Sequence, residues 1–158
     1  MRIFAALVIS WFATVSASSS CEINDATLRD LIESYANNNS GHPCGVISMW
    51  NISQITDFSR AFANLTHFNA DLSSWDTSSV TNMDETFANA TSFTGDGVSN
   101  WDTSSVTSLF GTFYRATSFN GDLSNWDTSR VTDLALTFFD ATSFNGDLSN
   151  WDTSSVMS

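Results

Sequence analysis

Lysine is missing from this chain altogether, and its five arginines face 17 aspartates and glutamates, for a formal net charge of −12. Without clustered Lys and Arg a chain cannot draw in phosphate backbones or anionic lipid surfaces, because such binding runs on released counterions. Nucleic acid is thereby excluded as a partner. Long apolar runs are missing too. The one extended run, Ile3 to Val15, falls short of the roughly 18 residues that a membrane-spanning helix needs. Histidine occurs only at His42 and His67, and neither stands beside a Ser or Cys nucleophile signature. Hydrolysis therefore has no residue set to work with, and the chain reads as a protein that is not an enzyme and needs no cofactor.

Cysteine is limited to Cys21 and Cys44. The residues before them read as a secretory signal over 1–17: Arg2 supplies the positive start, an apolar stretch follows, and Val15-Ser16-Ala17 offers small residues for cleavage. In a secreted chain an isolated even pair of cysteines reads as a disulfide. Lipidation of Cys21 is the alternative, although Ser18-Ser19-Ser20 lacks the large aliphatic residue expected three places before such a cysteine. The localisation expected is secreted or cell-surface. Asn38, Asn51, Asn64 and Asn89 open Asn-x-Ser/Thr sequons and are glycosylation candidates if the host is a eukaryote.

What the chain has in plenty is a repeated phrase. Trp50, Trp75, Trp101, Trp126 and Trp151 recur at spacings of 25 or 26 residues, and the last four each open a Trp-Asp-Thr-Ser-x-Val run. A period of this size marks units too small to bury their own apolar faces, which must stack on their neighbours. Aligned on Trp, a second aromatic falls at Phe62, Phe87, Phe113 and Phe138, and an earlier apolar residue at Phe58, Met83, Leu109 and Leu134. These two columns and the tryptophans form the expected repeat core. The spacing Val80, Met83, Phe87, Ala90 predicts one stripe of a helix of about three turns. Asp76 to Ser79 would cap its start. A short run such as Asp122 to Trp126 reads as a strand. The expected fold is thus an α/β solenoid of leucine-rich-repeat type, with one short parallel strand and one helix per repeat and strands on a concave face. Residues 18–45 read as an N-terminal capping helix, started by Asp25, plus a connector, and residues 46–158 as four to five units, the last incomplete. No cap is read after Val156. An exposed Trp151 edge, a truncated reading frame and stacking by another chain all fit that ending. The Gly95-Asp96-Gly97 turn holds one residue more than its counterparts, which flanking glycines tolerate.

The wording Phe-Asn-Gly-Asp-Leu-Ser-Asn-Trp-Asp-Thr-Ser at 119–129, repeated at 144–154, resembles the BspA-like leucine-rich-repeat surface proteins. The likeness spans about Gly45 to Ser158 and departs at Phe58, Leu109 and Leu134, where Met is usual. It implies an extracellular or surface protein with a leucine-rich-repeat-like solenoid and, in some members, adhesion to host or matrix proteins. It brings no catalytic residues.

Three chemistries follow from aligned columns. Asp71, Asp96, Asp122 and Asp147, and likewise Asp76, Asp102, Asp127 and Asp152, could share Ca²⁺ if stacked; the alternative is that they fix turns and cap helices. Threonine columns at 66, 91, 117 and 142 and at 77, 103, 128 and 153 suggest ice binding only if they alternate along one flat strand, which loop and cap positions do not provide. Exposed indoles would favour stacking on sugars. The reading that remains is a non-catalytic repeat module that binds an extracellular protein or glycan. A matrix protein self-associating through its open C-terminal edge and a calcium-binding surface protein are the alternatives.

Overall fold

Backbone hydrogen bonds decide the local structure of each repeat. The computed structural model describes residues 21–37 and 42–158; the expected signal segment 1–17 and Asn38 lie outside the described residues. Between Phe58 and Leu65 the N–H groups of Phe58, Arg60, Phe62 and Asn64 donate to the carbonyls of Asn82, Asp84, Thr86 and Ala88 in the next coil, at 2.7–2.9 Å. The intervening N–H groups bond within their own coil, Ala61 to Phe58, Ala63 to Arg60 and Leu65 to Phe62. The same alternation carries Met83 to Asn89 onto the third coil and Leu109 to Arg115 onto the fourth.

This overturns the expected α/β solenoid. Among the described residues the repeats contain no α-helix and no sheet, only turns and two single-turn 3₁₀ segments, Ile47–Met49 and Val98–Asn100. A helix from Val80 would send each N–H to the carbonyl four residues back, but that of Phe87 goes to Thr112 instead. Two residues per coil adopt left-handed backbone, which a helix excludes: Arg60, Glu85, Gly111 and Leu136 with φ between 52° and 59°, and Asn64, Asn89, Arg115 and Asp140 with φ between 54° and 65°. Spacing gives the deeper reason. The rings of Phe87 and Phe113 lie 5.7 Å apart and those of Phe113 and Phe138 5.6 Å, whereas packed helices stand 8–10 Å apart.

The expected strand fails as well, since Asp122–Trp126 is a turn closed by the Trp126 N–H on the Leu123 carbonyl at 3.1 Å. Among the described residues parallel pairing occurs only as isolated bridges, Asp57 with Asn82, Asn82 with Ser108 and Ser108 with Asp133, at the start of the segment expected to be helical. With neither strand nor helix in the described repeats, no concave strand face forms.

Aromatic columns fill the stack. Phe58, Phe62, Phe87, Phe93, Phe113 and Phe119 are fully buried. Trp101, Trp126 and Trp151 stack at 6.3 and 6.4 Å with planes within 9° of parallel. Each indole also ties coils together: the N–H of Trp75 donates to Ile47 O, Trp101 to Leu72 O, Trp126 to Val98 O and Trp151 to Leu123 O. Trp50 leads the column, and its indole N–H has no acceptor among the described residues. The added residue beside Gly97 leaves Val98 and Trp101 buried in register. Gly97 has φ 94°, and a Cβ there would sit 2.2 Å from the Ser73 nitrogen, so only glycine fits.

Helix α1, Leu28–Asn37, covers the leading coil with Leu28, Ile32 and Tyr35 buried. Its start is not capped by Asp25 as the sequence suggested: the Asn24 side-chain oxygen accepts from the Ala26 and Thr27 N–H groups. Asp25 instead reaches the first coil, where its carboxylate accepts from Thr56 N–H and hydroxyl at 2.8 Å and from Asp57 N–H at 3.2 Å. Arg29 donates to the Arg60 and Ala63 carbonyls. Cys21 and Cys44 are joined in a disulfide beside this cap.

Candidate functional site

Stacking turns each repeat position into a column, and the columns divide into fixed and varied ones. The Trp-Asp-Thr-Ser side hardly varies because its groups are used within the stack. The Thr77, Thr103 and Thr128 hydroxyls donate to the carbonyls of Asp102, Asp127 and Asp152, so these threonines tie coils together and cap no helix. Thr86, Thr112 and Thr137 form a second column, wholly buried, whose hydroxyls reach the preceding coil at Phe58 O, Met83 O and Leu109 O. Sequence reasoning missed it, although a threonine one place before Phe87, Phe113 and Phe138 was there to be read.

Both acidic columns are taken up in turns. Asp71, Asp76, Asp102, Asp122, Asp127, Asp147 and Asp152 each accept from the N–H two residues on. Hydrogen bonds hold all seven below the usual carboxylate range. The Ser73, Ser124, Ser149 and Ser154 N–H groups act first on Asp71, Asp122, Asp147 and Asp152. The hydroxyls of Ser78, Ser104 and Ser129 act first on Asp76, Asp102 and Asp127. Asp96 lies in the glycine-flanked turn, where its carbonyl accepts from Leu72 N–H at 3.2 Å. Among the described residues no group of three or more potential ligands is placed to hold a metal ion.

The other candidates are dispersed. Trp50, Trp75, Trp101 and Trp126 are buried, so they offer no platform for a sugar, and Trp151 is half-buried. Asn51 and Asn64 are exposed, while the Asn89 amide donates to Asn64 Oδ1 at 3.0 Å. His42 lies between Tyr35 and Trp50 with Nδ1 accepting from Cys44 N–H, and His67 is exposed.

Chemical variety collects on the turns between residues 57 and 64 and their equivalents. One column there reads Ser59, Asp84, Phe110, Ala135; the next Arg60, Glu85, Gly111, Leu136; two further along lie Ala63, Ala88, Tyr114, Phe139 and Asn64, Asn89, Arg115, Asp140. Backbone bonds join each coil to the next along this strip, and these four columns carry none of the fully buried core rings. Arg60 Nε pairs with Glu85 at 2.7 Å, and Arg115 with Asp140 at 3.6 Å. Tyr114 stacks on Phe139 at 5.2 Å, with the Arg115 guanidinium 5.1 Å from the Tyr114 ring. A groove of about 400 Å³ crosses this face, lined by Ser59, Arg60, Asn82, Asp84, Glu85 and Phe110. The groove therefore places one aromatic ring, Phe110, among polar and charged side chains.

The family described as "Mycoplasma protein of unknown function, DUF285" matches the chain twice, over residues 29–98 and 95–158. No curated protein and no solved structure matches it. The chain belongs to this family, and the double match follows its repeats.

Proposed function

We propose that this member of a family of unknown function is a non-catalytic, secreted or surface-displayed module that binds an extracellular protein or glycan through its varied face. One observation supports the reading above others: the columns that change most in charge and aromatic character, from Ser59 to Ala135 and from Arg60 to Leu136, lie together on a strip where backbone hydrogen bonds join each coil to the next. There Arg60, Glu85, Phe110, Tyr114 and Phe139 differ from their column neighbours, while the Trp-Asp-Thr-Ser side repeats. The Cys21–Cys44 disulfide suits an oxidising compartment. No helix among the described residues is long and apolar enough to cross a membrane. The acidic balance favours a partner that is neutral or basic at its contact surface.

The test is capture from extracellular and cell-wall extracts, together with a glycan array, using the wild type and an Arg60→Ser/Phe110→Ser variant. A partner retained by the first and lost by the second is expected. Equal capture by both, with the variant folded, would move the binding surface elsewhere and refute this face.

A further inference from the structure

Phe110 is the odd ring of the stack. Every other phenylalanine among the described residues pairs with a further ring, whereas Phe110 pairs with none. Its column explains this: Asp84 stands one coil before it and Ala135 one coil after, so neither neighbour offers a ring, and Phe110 is left half-buried. Coils continue on both sides of it, so this open ring belongs to the interior of the strip. The backbone holds its surroundings in place. Arg60 N–H donates to Asp84 O at 2.9 Å, Glu85 N–H to Phe110 O at 2.7 Å and Gly111 N–H to Ala135 O at 2.9 Å. A ligand there meets a surface formed in advance, which lowers the ordering cost of binding.

Polar groups around the ring keep unused capacity. Asp84 accepts the Ser108 hydroxyl on Oδ1, and Glu85 accepts Arg60 Nε–H on Oε2 at 2.7 Å. The second oxygens of both carboxylates accept nothing among the described residues. Donors stand beside them: Asn82 uses only its Oδ1, which accepts Asp84 N–H at 2.9 Å, and its amide nitrogen, both Nη groups of Arg60 and the Ser59 hydroxyl make no hydrogen bond among the described residues. All of these residues line the groove of about 400 Å³ that Phe110 shares. One cation against two carboxylates means that an incoming ammonium meets Arg60, while an incoming carboxylate or sulfate meets Asp84 and Glu85. A Lys or Arg side chain also brings donors alone, which leaves the Arg60 and Asn82 donors unused. A hydroxyl both donates and accepts, so adjacent hydroxyls of a sugar engage both sets, and the C–H face of a sugar ring suits the negative face of an aromatic ring.

We infer that the groove at Phe110 is a saccharide site, taking a neutral glycan whose sugar ring stacks on Phe110 and whose hydroxyls bridge the Asp84 and Glu85 carboxylates and the Arg60 and Asn82 donors. The inference rests on the reading of the varied face as a binding surface and narrows its partner from protein or glycan to the second. The platform that the buried tryptophans do not offer is supplied by a phenylalanine outside the ring columns.

The experiment applies the full chain to an array of neutral hexose and N-acetylhexosamine oligosaccharides, their sialylated and sulfated counterparts, and Lys/Arg-rich peptides. The neutral oligosaccharide retained best is then titrated by calorimetry into wild type, Phe110→Leu and Phe110→Trp. Expected are an affinity lowered by about fivefold or more in Phe110→Leu, which keeps apolar bulk without the ring, and an affinity kept in Phe110→Trp. In the wild type the same oligosaccharide should shift the Phe110 ring and Gly111 amide resonances, a readout that needs no variant. Retention of no neutral saccharide by the folded chain overturns the inference, as does retention of acidic glycans or basic peptides alone. Equal affinity in wild type and Phe110→Leu, or unmoved Phe110 resonances, overturns it too. A protein partner that is captured from extracts and lost with Arg60→Ser/Phe110→Ser, with no saccharide bound, overturns this inference and leaves the varied face standing as a binding surface.

Discussion

Replacing Phe113 by alanine removes a ring from the middle of the aromatic stack. Phe113 is fully buried and touches four rings: Phe119 at 3.8 Å, Phe138 at 5.6 Å, Phe87 at 5.7 Å and Trp126 at 5.9 Å. Truncating a buried Phe costs about 3–5 kcal/mol, and a stack fixed on both sides by backbone hydrogen bonds cannot collapse to fill the hole, so the upper half of that range applies. Phe138 holds the same place one coil later but is half-buried, so Phe138→Ala should cost roughly half as much. Urea unfolding followed by tryptophan emission measures both, since Trp101, Trp126 and Trp151 lie against these columns. Equal losses for the two variants, or a loss below about 1 kcal/mol for Phe113→Ala, would refute a continuous aromatic spine.

Thr112→Val keeps the shape of the side chain and deletes a buried hydroxyl that reaches Met83 O and Leu109 O, so a loss of about 1–2 kcal/mol is expected by denaturant titration; a neutral result would mean that the column only fills space. Asp25→Ala removes three bonds to the first coil and should cost about 1–2 kcal/mol at neutral pH, a figure reduced for exposure. Desolvation alone would raise the Asp25 value, but the Thr56 and Asp57 bonds outweigh it and hold the carboxyl low. Its contribution is therefore complete above the unfolded value of about 3.9 and is lost as pH falls through the lower folded one, so the gap between wild type and variant should close in acid. A gap that widens there would contradict the assignment. Cys44→Ser opens a loop of 23 residues and should cost about 3 kcal/mol, measured under non-reducing conditions. Since the acidic columns spend their carboxylates on turns, melting midpoints with Ca²⁺ and with chelator should coincide; a calcium-dependent rise would show a site that the turns do not explain.

The columns were legible in the sequence because a fixed period needs no knowledge of local conformation: Trp75, Trp101 and Trp126 had to become neighbours if the units stacked at all. The local conformation was not. Val80, Met83, Phe87 and Ala90 match a helical stripe, yet the same inward spacing arises in a chain of turns with left-handed residues at Glu85 and Asn89. Whether Phe87 N–H bonds to its own coil or to the next depends on the distance between coils, which a pattern within one repeat does not encode. In the structure the core phenylalanines supply that distance, since rings that stack at under 6 Å leave no room for one helix per coil. Asn at two of the four positions in the 64, 89, 115, 140 column, and Gly at 111, were the local hints of left-handed backbone. Asp25 was misassigned because a carboxylate at a helix start reads as a cap, while its partners Thr56 and Asp57 lie 31 and 32 residues away. The varied face was visible once columns were drawn, but repetition draws the eye to what stays the same.

The central claim is that each coil is held by the next and not by its own helix, and scalar couplings across hydrogen bonds report this directly. The Phe87 amide nitrogen should couple to the Thr112 carbonyl carbon, and Phe62 and Phe113 to those of Thr86 and Thr137. Coupling of Phe87 to the carbonyl of Met83, four residues back in its own coil, would contradict the account.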